Sequence, residues 1–208
     1  MKTISQSIPR SSSRLGILGS TKGTDLQAII GAIEQGRLDA SVAVVISNKR
    51  DAYILERARK HDILTIYVEG KERSRKNFDD EVSTILKQNC VDLVLLIGYM
   101  RILSPSFIDS WNNRVLNVHP SLLPEFGGSM DLDVHSEVLK SGVEVTGCTV
   151  HIATKEIDAG PIIVQKCCTI ADGETSESLK VKVQALEGEA LIEAIQLFQN
   201  GFPLFSRG

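Results

Sequence analysis

Two side chains that can act on a carbonyl group stand two residues apart within the stretch 114–124. Asn117 and His119 follow an apolar run, and Pro120 and Pro124 bound the exit from it. Because alternate residues of a strand point to the same face, Asn117 and His119 would lie side by side. An amide donor beside an imidazole that titrates near neutral pH suits a carbonyl oxygen that gains negative charge during a reaction. The alternative for this pair alone is a strand end with a surface histidine.

A carboxylate that would complete this chemistry is Asp158, in the tight loop 154–160. If it faced Asn117 and His119, it would accept a proton, and the three residues would support direct transfer of a carbonyl carbon between two bound partners. None of the three is a strong nucleophile, and the chain has no Gly-x-Ser-x-Gly elbow. Asp158 is alternatively a turn-forming residue. Spacing along the chain does not place it near the other two.

Alternating apolar runs and amphipathic segments predict the framework that carries these residues. Four strands are predicted before the run that leads to Asn117, and helices separate them; the strands span 14–19, 42–46, 64–67 and 93–97. This alternation predicts an α/β fold with a doubly wound, mostly parallel sheet and helices on both faces. Two later apolar runs, 144–153 and 161–170, predict a C-terminal antiparallel hairpin that extends the sheet. A final helix is predicted over about 175–200.

Three polar segments leave the carboxyl ends of the predicted parallel strands, at 19–25, 98–103 and 117–121. Ligands bind at these ends in such sheets, so we expect the three segments to face one cleft. The first segment also precedes a helix, and free backbone N–H groups at a helix N-terminus can hold an anion. From this segment alone, phosphate binding and simple helix capping by Thr24 or Asp25 are equally consistent.

Composition and charge argue against several classes of protein. The 208 residues fit one domain, predicted over 14–208 after a polar, Ser-rich flexible leader at 1–13. A net charge of −3 with scattered basic residues argues against nucleic-acid binding. No apolar run approaches the roughly 18 residues of a membrane span, and the leader lacks the apolar region of a signal peptide. A cytoplasmic location is therefore predicted.

The cysteines and the remaining histidines give no sign of a disulfide or a metal site. Four cysteines lie in or beside apolar runs and are predicted to be buried, reduced thiols: Cys90, Cys148, Cys167 and Cys168. The remaining histidines lack metal-ligand spacing: His61, His135 and His151. Taken alone, His151 is interpreted as a structural histidine of the hairpin.

Four stretches together resemble the phosphoribosylglycinamide formyltransferase family of folate-dependent enzymes: 23–29, 98–104, 116–124 and 151–163. The Asn-x-His-Pro-Ser-Leu-Leu-Pro motif is specific to formyl-folate transferases. The phosphate-loop and Met-Arg-Ile-Leu motifs are similar to those of the glycinamide branch. The resemblance covers roughly 14–201 and implies a formyltransferase fold, with a phosphate-binding half at about 14–112 and a catalytic, folate-binding half at about 113–201.

The resemblance implies that the formyl group of 10-formyltetrahydrofolate, a co-substrate, passes to the amine of 5-phosphoribosylglycinamide in de novo purine synthesis. Asn117 and His119 would polarise the formyl oxygen. Asp158 would hold His119 and a water, and would help move a proton from the amine toward N10. The resemblance also implies small-molecule substrates, with no nucleic acid, membrane or metal, and a monomer or homodimer.

Binding residues follow from the same resemblance. Gly23, Thr24 and Asp25 would hold the phosphate, with Glu187 on the ribose hydroxyls. The folate would contact Arg75 with its tail, and Met100 would line the slot between the two ligands. The pterin would be held by the backbone around Arg101, Ile102 and Leu103 and by the loop of Thr154, Lys155, Glu156, Ile157 and Asp158. Asn117 would also contact the folate. Without the resemblance, Glu187 is interpreted as a solvated helix residue, Arg75 as part of a charged loop at 69–76, and Met100 as core filler.

Two features depart from the family pattern. Asp25 stands where Asn is usual, and a carboxylate beside a phosphate dianion is repulsive unless Lys22 compensates or Asp25 only caps the helix. The stretch 125–133 replaces the usual Pro-Gly sequence and puts the geometry of the substrate loop in question. Two alternative functions remain at this point: a formyltetrahydrofolate hydrolase, with water as acceptor, and a non-catalytic folate- or sugar-phosphate-binding module.

Overall fold

A sheet of seven strands forms the centre of the computed structural model, which describes residues 12–128 and 132–205. The strands are Ser13–Gly19 (β1), Ala40–Ser47 (β2), Thr65–Tyr67 (β3), Leu93–Ile97 (β4), Val115–His119 (β5), Val145–Ile152 (β6) and Ile162–Thr169 (β7). Their order is β3-β2-β1-β4-β5-β6-β7. The first five strands are parallel, whereas β6 and β7 are antiparallel to their neighbours. The predicted doubly wound sheet with a C-terminal antiparallel hairpin is confirmed.

Two predicted segments fall partly outside the described residues. The flexible leader was predicted over 1–13, and the described chain begins at residue 12, with β1 starting at Ser13. The unusual stretch 125–133 is described only at 125–128 and as part of a helix from Leu132.

Six α-helices are described: Thr24–Glu34 (α1), Tyr53–Arg59 (α2), Arg75–Gln88 (α3), Pro105–Ser110 (α4), Leu132–Ser141 (α5) and Ser176–Gln199 (α6). A 3₁₀ turn follows at Pro203–Phe205. The prediction that the charged loop 69–76 extends to residue 76 was wrong, because α3 begins at Arg75. The Ser74 hydroxyl accepts a hydrogen bond from Asn77 N at 3.2 Å and so starts α3 at Arg75.

The central strand β4 is buried on both faces, as its uninterrupted apolar sequence predicted. Leu93, Leu95 and Ile97 belong to the core cluster formed with α1, α2, α5 and α6. Val94 and Leu96 belong to the second cluster, formed with α3 and α4. Side chains that alternate between two apolar layers hold this strand in register, because a slip by one residue would exchange the two sets.

The strand order reverses at β1, which pairs with β2 on one side and with β4 on the other. The exits of β1 and β4 are therefore neighbours, and Ser20 N donates to Gly98 O at 3.1 Å. The end of β5 lies beside β4. This brings three strand exits to the same edge of the sheet, where ligands of such folds bind.

All four cysteines are free, as predicted, but the prediction that all are buried was wrong. Cys148 is buried, Cys168 is partly buried, and Cys90 and Cys167 are exposed. Cys90 lies in the turn after α3, and Cys167 points outward from the edge strand β7. Within the described ranges, no helix is both long and apolar enough to cross a membrane.

Candidate functional site

A cleft of about 830 Å³ opens at the carboxyl ends of the central strands. The polar strand exits line it, at 20–25, 97–103 and 117–120. The loop 153–158 and several residues of α6 also contribute to its lining. The prediction that the three exits face one cleft is confirmed.

Asn117 lies opposite His151 in the antiparallel pair of β5 and β6. Its Nδ2 atom lies 3.1 Å from His151 Nε2, and His151 Nδ1 lies 3.1 Å from the carbonyl oxygen of Ile152. Because a carbonyl oxygen only accepts, Nδ1 carries a hydrogen, and in that tautomer Nε2 accepts from the Asn117 amide. His151 therefore fixes the direction of that amide and leaves its second N–H for a ligand.

His151 and His135 are buried cleft residues that the sequence predictions did not include among the site residues. The signal for His151 is the strand register, since pairing the predicted hairpin with β5 puts it opposite Asn117. His135 lines the cleft from α5, and no spacing in the sequence indicated this. Among the described side chains, no group of three or more His, Cys, Asp or Glu residues is arranged to hold a metal ion.

Asp158 joins this cluster from the loop between β6 and β7. Its Oδ2 atom lies 3.4 Å from His119 Nδ1, and its Oδ1 atom lies 3.5 Å from His151 Nε2. The backbone N–H of Gly128 donates to Oδ2 at 2.8 Å. Asp158 has a φ of 52°, a left-handed conformation in which Asp is more readily accommodated than most residues. The structure thus brings Asn117, His119 and Asp158 together, which spacing along the chain did not establish.

The charge states of His119 and Asp158 follow from their surroundings. Burial lowers the pKa of His119, although the Asp158 carboxylate and the Phe126 carbonyl oppose that shift. Burial alone would raise the pKa of Asp158, but a hydrogen bond from the protonated form of His151, the N–H of Gly128 and the charge of protonated His119 hold that pKa below its ordinary value. At neutral pH the site therefore holds a carboxylate beside an imidazole that is mostly neutral. Such a pair can accept and return a proton.

The backbone at the start of α1 forms the second part of the cleft. Gly23 is the N-cap residue, with a φ of 66°, so the alternative in which Thr24 or Asp25 only caps the helix is excluded. A Cβ at Gly23 would lie 2.4 Å from Cγ1 of Ile54, which leaves room only for glycine. Thr24 and Asp25 lie in the first turn of α1 and line the cleft. The backbone N–H groups of this turn are the donors of a typical anion site.

Asp25 and Glu187 form a buried carboxyl pair at the contact of α1 with α6. Each is 6% exposed, and their side chains are hydrogen-bonded to each other. Burial raises the pKa of Asp25 to about 6, while the Glu187 hydrogen bond and the charge of Arg57 oppose the rise. The two helices pack closely here, since a Cβ at Gly188 would lie 2.5 Å from Cβ of Ala28. The interpretation of Glu187 as a solvated residue was therefore wrong, because it lines the cleft.

The segment 100–104 contains residues that were predicted to contact the folate, and we call it the folate wall. Its residues 100–103 line the cleft. The Ser20 hydroxyl accepts from Met100 N at 3.0 Å and so attaches the start of the wall to the exit of β1. Met100 is 37% exposed, so it is not core filler, and Ile102 is 47% exposed. The guanidinium of Arg101 lies 4.1 Å from the centre of the Phe78 ring, and Leu103 is buried.

The hairpin loop contributes its residues from 154 to 158 to the same cleft, including Thr154, Glu156 and Ile157. Lys155 in this loop makes a 2.8 Å ion pair with Asp109. Arg75, which was predicted to contact the folate tail, is exposed at the start of α3 and is not among the residues that line the cleft.

Comparison with known proteins agrees with this arrangement. A family model described as formyl transferase matches residues 13–195. Phosphoribosylglycinamide formyltransferase of Escherichia coli strain K12 is 38% identical over 186 residues, which are 89% of this chain and 86% of that protein. The human trifunctional purine biosynthetic protein adenosine-3 is 37% identical over 196 residues, which are 94% of this chain and 19% of that protein.

A solved structure gives the same result for the fold. The crystal structure of glycinamide ribonucleotide transformylase 1 from Symbiobacterium toebii matches with a TM-score of 0.87 and 42% identity, covering 92% of this chain and 90% of that chain. The match therefore extends over nearly all of this chain. The chain belongs to the formyl transferase family.

Proposed function

We propose that this chain transfers the formyl group of 10-formyltetrahydrofolate directly to the amine of 5-phosphoribosylglycinamide. The products would be formylglycinamide ribonucleotide and tetrahydrofolate, in de novo purine synthesis. The observation that carries the proposal is the cluster of Asn117, His119 and Asp158 in a cleft that also contains a helix N-terminus. The E. coli relative, which this chain matches over most of its length, is named for the same activity.

The first step would be attack of the substrate amine on the formyl carbon, which places negative charge on the formyl oxygen. The Asn117 amide has one N–H occupied by His151 and a second available for that oxygen. His119 would supply a second donor, and two such donors stabilise a tetrahedral oxyanion. Asp158 would accept a proton from the attacking amine through a water. The proton then passes to N10 as the C–N10 bond breaks, so no covalent enzyme intermediate is needed.

Two ligands would occupy the cleft together. Backbone N–H groups at Gly23 and Thr24 would hold the phosphate at the start of α1. Glu187 would accept from the ribose hydroxyls. Burial of Asp25 against Glu187 supports an arrangement in which backbone donors, rather than the Asp25 side chain, hold the phosphate.

The second ligand, the folate, would lie along 100–103 and the loop 154–158, with Met100 between the two ligands. We retain Arg75 as a contact for the folate tail beyond the cleft. Residues 14–208 would act as one domain, as a monomer or homodimer in the cytoplasm, with small molecules as its only ligands.

A formyl-transfer assay tests the proposal. Purified protein is incubated with 10-formyltetrahydrofolate, with and without the ribonucleotide, and the folate product is followed by absorbance. Product that appears only with the ribonucleotide is the expected result. Product without the ribonucleotide would identify a hydrolase, and absence of product despite binding of both ligands would identify a binding module.

A further inference from the structure

We infer that Asp79, on α3 and outside the reacting cluster, is a positioning residue that fixes the folate wall at 100–104. This inference rests on the proposed function, because it assigns the wall to the folate. Asp79 is 1% exposed, and its Oδ2 atom accepts a hydrogen bond from Ser104 N at 2.5 Å. A buried carboxylate that holds a backbone N–H is a strong, directional anchor.

The anchored residue Ser104 is the N-cap of α4, and its own hydroxyl accepts from Phe107 N at 3.3 Å. In a capping box the N-cap backbone N–H is met by a side chain of the same helix. Here Asp79 of another helix supplies that acceptor. The end of the wall is therefore attached to α3 as well as to α4.

The wall is held at both ends. Met100 N donates to the Ser20 hydroxyl at 3.0 Å, and Ser20 Oγ donates to Asn48 Oδ1 at 2.6 Å. Ser104 N is held by Asp79 at the other end. Residues 101–103 span the two attachments and line the cleft. A ligand that contacts their backbone would therefore depend on both anchors for its geometry.

Arg101 in the middle of the wall is drawn toward the same helix. Its guanidinium lies over the ring of Phe78, the residue before Asp79, at 4.1 Å from the ring centre. The charge of Arg101 also acts on the Asp79 carboxylate, and together with the Ser104 hydrogen bonds it opposes the rise in pKa that burial causes. A Cβ at Gly70 would lie 2.8 Å from Nη1 of Arg101, so this position keeps space for the guanidinium.

The test compares two variants of Asp79 with a matched control on the same helix. Asp79→Leu removes the acceptor at similar size, and Asp79→Asn keeps an oxygen that can accept from Ser104 N. The control is Ser83→Ala, one turn further along α3. Its buried hydroxyl accepts from Trp111 Nε1 at 3.0 Å, at the other end of α4.

We expect Asp79→Leu to raise the KM for 10-formyltetrahydrofolate by about tenfold, as for loss of one hydrogen bond to a charged group. The KM for the ribonucleotide and kcat should stay within about threefold of wild type. In Asp79→Asn the KM for 10-formyltetrahydrofolate should return most of the way to the wild-type value. Ser83→Ala should lower Tm by a few degrees, as Asp79→Leu does, without changing either KM.

Three results would overturn the inference: equal increases in both KM values for Asp79→Leu, a folate KM in Ser83→Ala that rises as much as in Asp79→Leu, or unchanged kinetics in both Asp79 variants. If Asp79→Leu fails to fold, Asp79→Asn decides, since loss of the charge should still raise the folate KM about two- to threefold with the ribonucleotide KM unchanged.

Calorimetric titration with tetrahydrofolate separates this inference from the proposed function. A wild-type protein that binds tetrahydrofolate but transfers no formyl group refutes only the function, whereas one that does not bind it refutes both.

Discussion

Replacement of Asp158 by Asn tests the proton-accepting role of the carboxylate with the least change in shape. The amide oxygen can still accept from Gly128 N, which is now bound at 2.8 Å, so the local backbone should stay in place. The negative charge next to His119 Nδ1, at 3.4 Å, and His151 Nε2, at 3.5 Å, is lost. A positioned general acid or base contributes roughly 10²- to 10⁴-fold to a rate. We therefore expect kcat to fall by about that factor, with little change in either KM.

The same variant has a predictable effect on stability. The pKa of Asp158 is held below its ordinary value in the folded protein, so the ionised carboxylate stabilises the fold at neutral pH. That contribution is lost as the pH falls through the pKa of the folded state. Asp158→Asn retains the hydrogen bond from Gly128 N but removes the charge. The free energy of unfolding should therefore fall by about 1 kcal/mol at pH 7. The difference in Tm from wild type should shrink toward acid pH.

Steady-state kinetics at pH 7 and thermal melts from pH 3 to pH 8 measure both effects. Asp109→Asn is the matched control, since it also removes one carboxylate charge. Asp109 is 61% exposed and forms an ion pair with Lys155, which lies in the same loop as Asp158. An exposed ion pair of this kind is worth little, so the control should keep wild-type kinetics. A kcat for Asp158→Asn within threefold of wild type, or an equal loss in Asp109→Asn, would refute the assignment.

The other predictions concern both ends of the cleft. His119→Ala should lower kcat by orders of magnitude while titration calorimetry shows both substrates still binding; weak binding with normal turnover would remove His119 from the catalytic role. Asp25 has a folded pKa of about 6, above its unfolded value, so wild type loses stability as the pH rises through 4 to 6. Asp25→Asn should therefore gain Tm relative to wild type above pH 6 but not near pH 3, and a constant difference would contradict the shift. Gly23→Ala should lower the free energy of unfolding by about 1–2 kcal/mol and raise the ribonucleotide KM, because the φ of Gly23 is 66° and Ile54 blocks the added Cβ. The control is Gly36→Ala, at a φ of 70° with open space around it. This control should lower Tm but leave the ribonucleotide KM unchanged.

The sequence predicted the strands well where burial alone decides the pattern. The β4 strand occurs at 93–97 as predicted, because five consecutive apolar residues are consistent only with cover on both faces. The relation of Asn117 to His119 also followed from strand periodicity. The position of Asp158 did not follow, because its place depends on a loop conformation with a positive φ and on the pairing of β6 with β5.

The burial of Glu187 was not predictable from its own helix. Periodicity places it near the apolar face of α6, but a carboxylate is ordinarily left in water because its burial without a partner is unfavourable. The partner is Asp25, which lies more than 150 residues earlier and is brought there by the packing of α1 on α6. Residue types and spacing within one element therefore indicated a candidate chemistry, whereas contacts between elements determined which groups are paired and which are charged.

The stretch 125–128 belongs to the chemistry of the cleft as well as to its shape. His119 Nε2 lies 3.0 Å from the carbonyl oxygen of Phe126, so this nitrogen carries a hydrogen and donates it there. The other ring nitrogen faces Asp158. A formyl oxygen can therefore take the Nε2 hydrogen only by replacing the Phe126 carbonyl. Since Gly128 N also holds the Asp158 carboxylate, a shift of this stretch would change the surroundings of both catalytic candidates at once. The unusual sequence after Pro124 thus acts directly on His119, the proposed donor to the formyl oxygen, and on Asp158, the proposed proton acceptor.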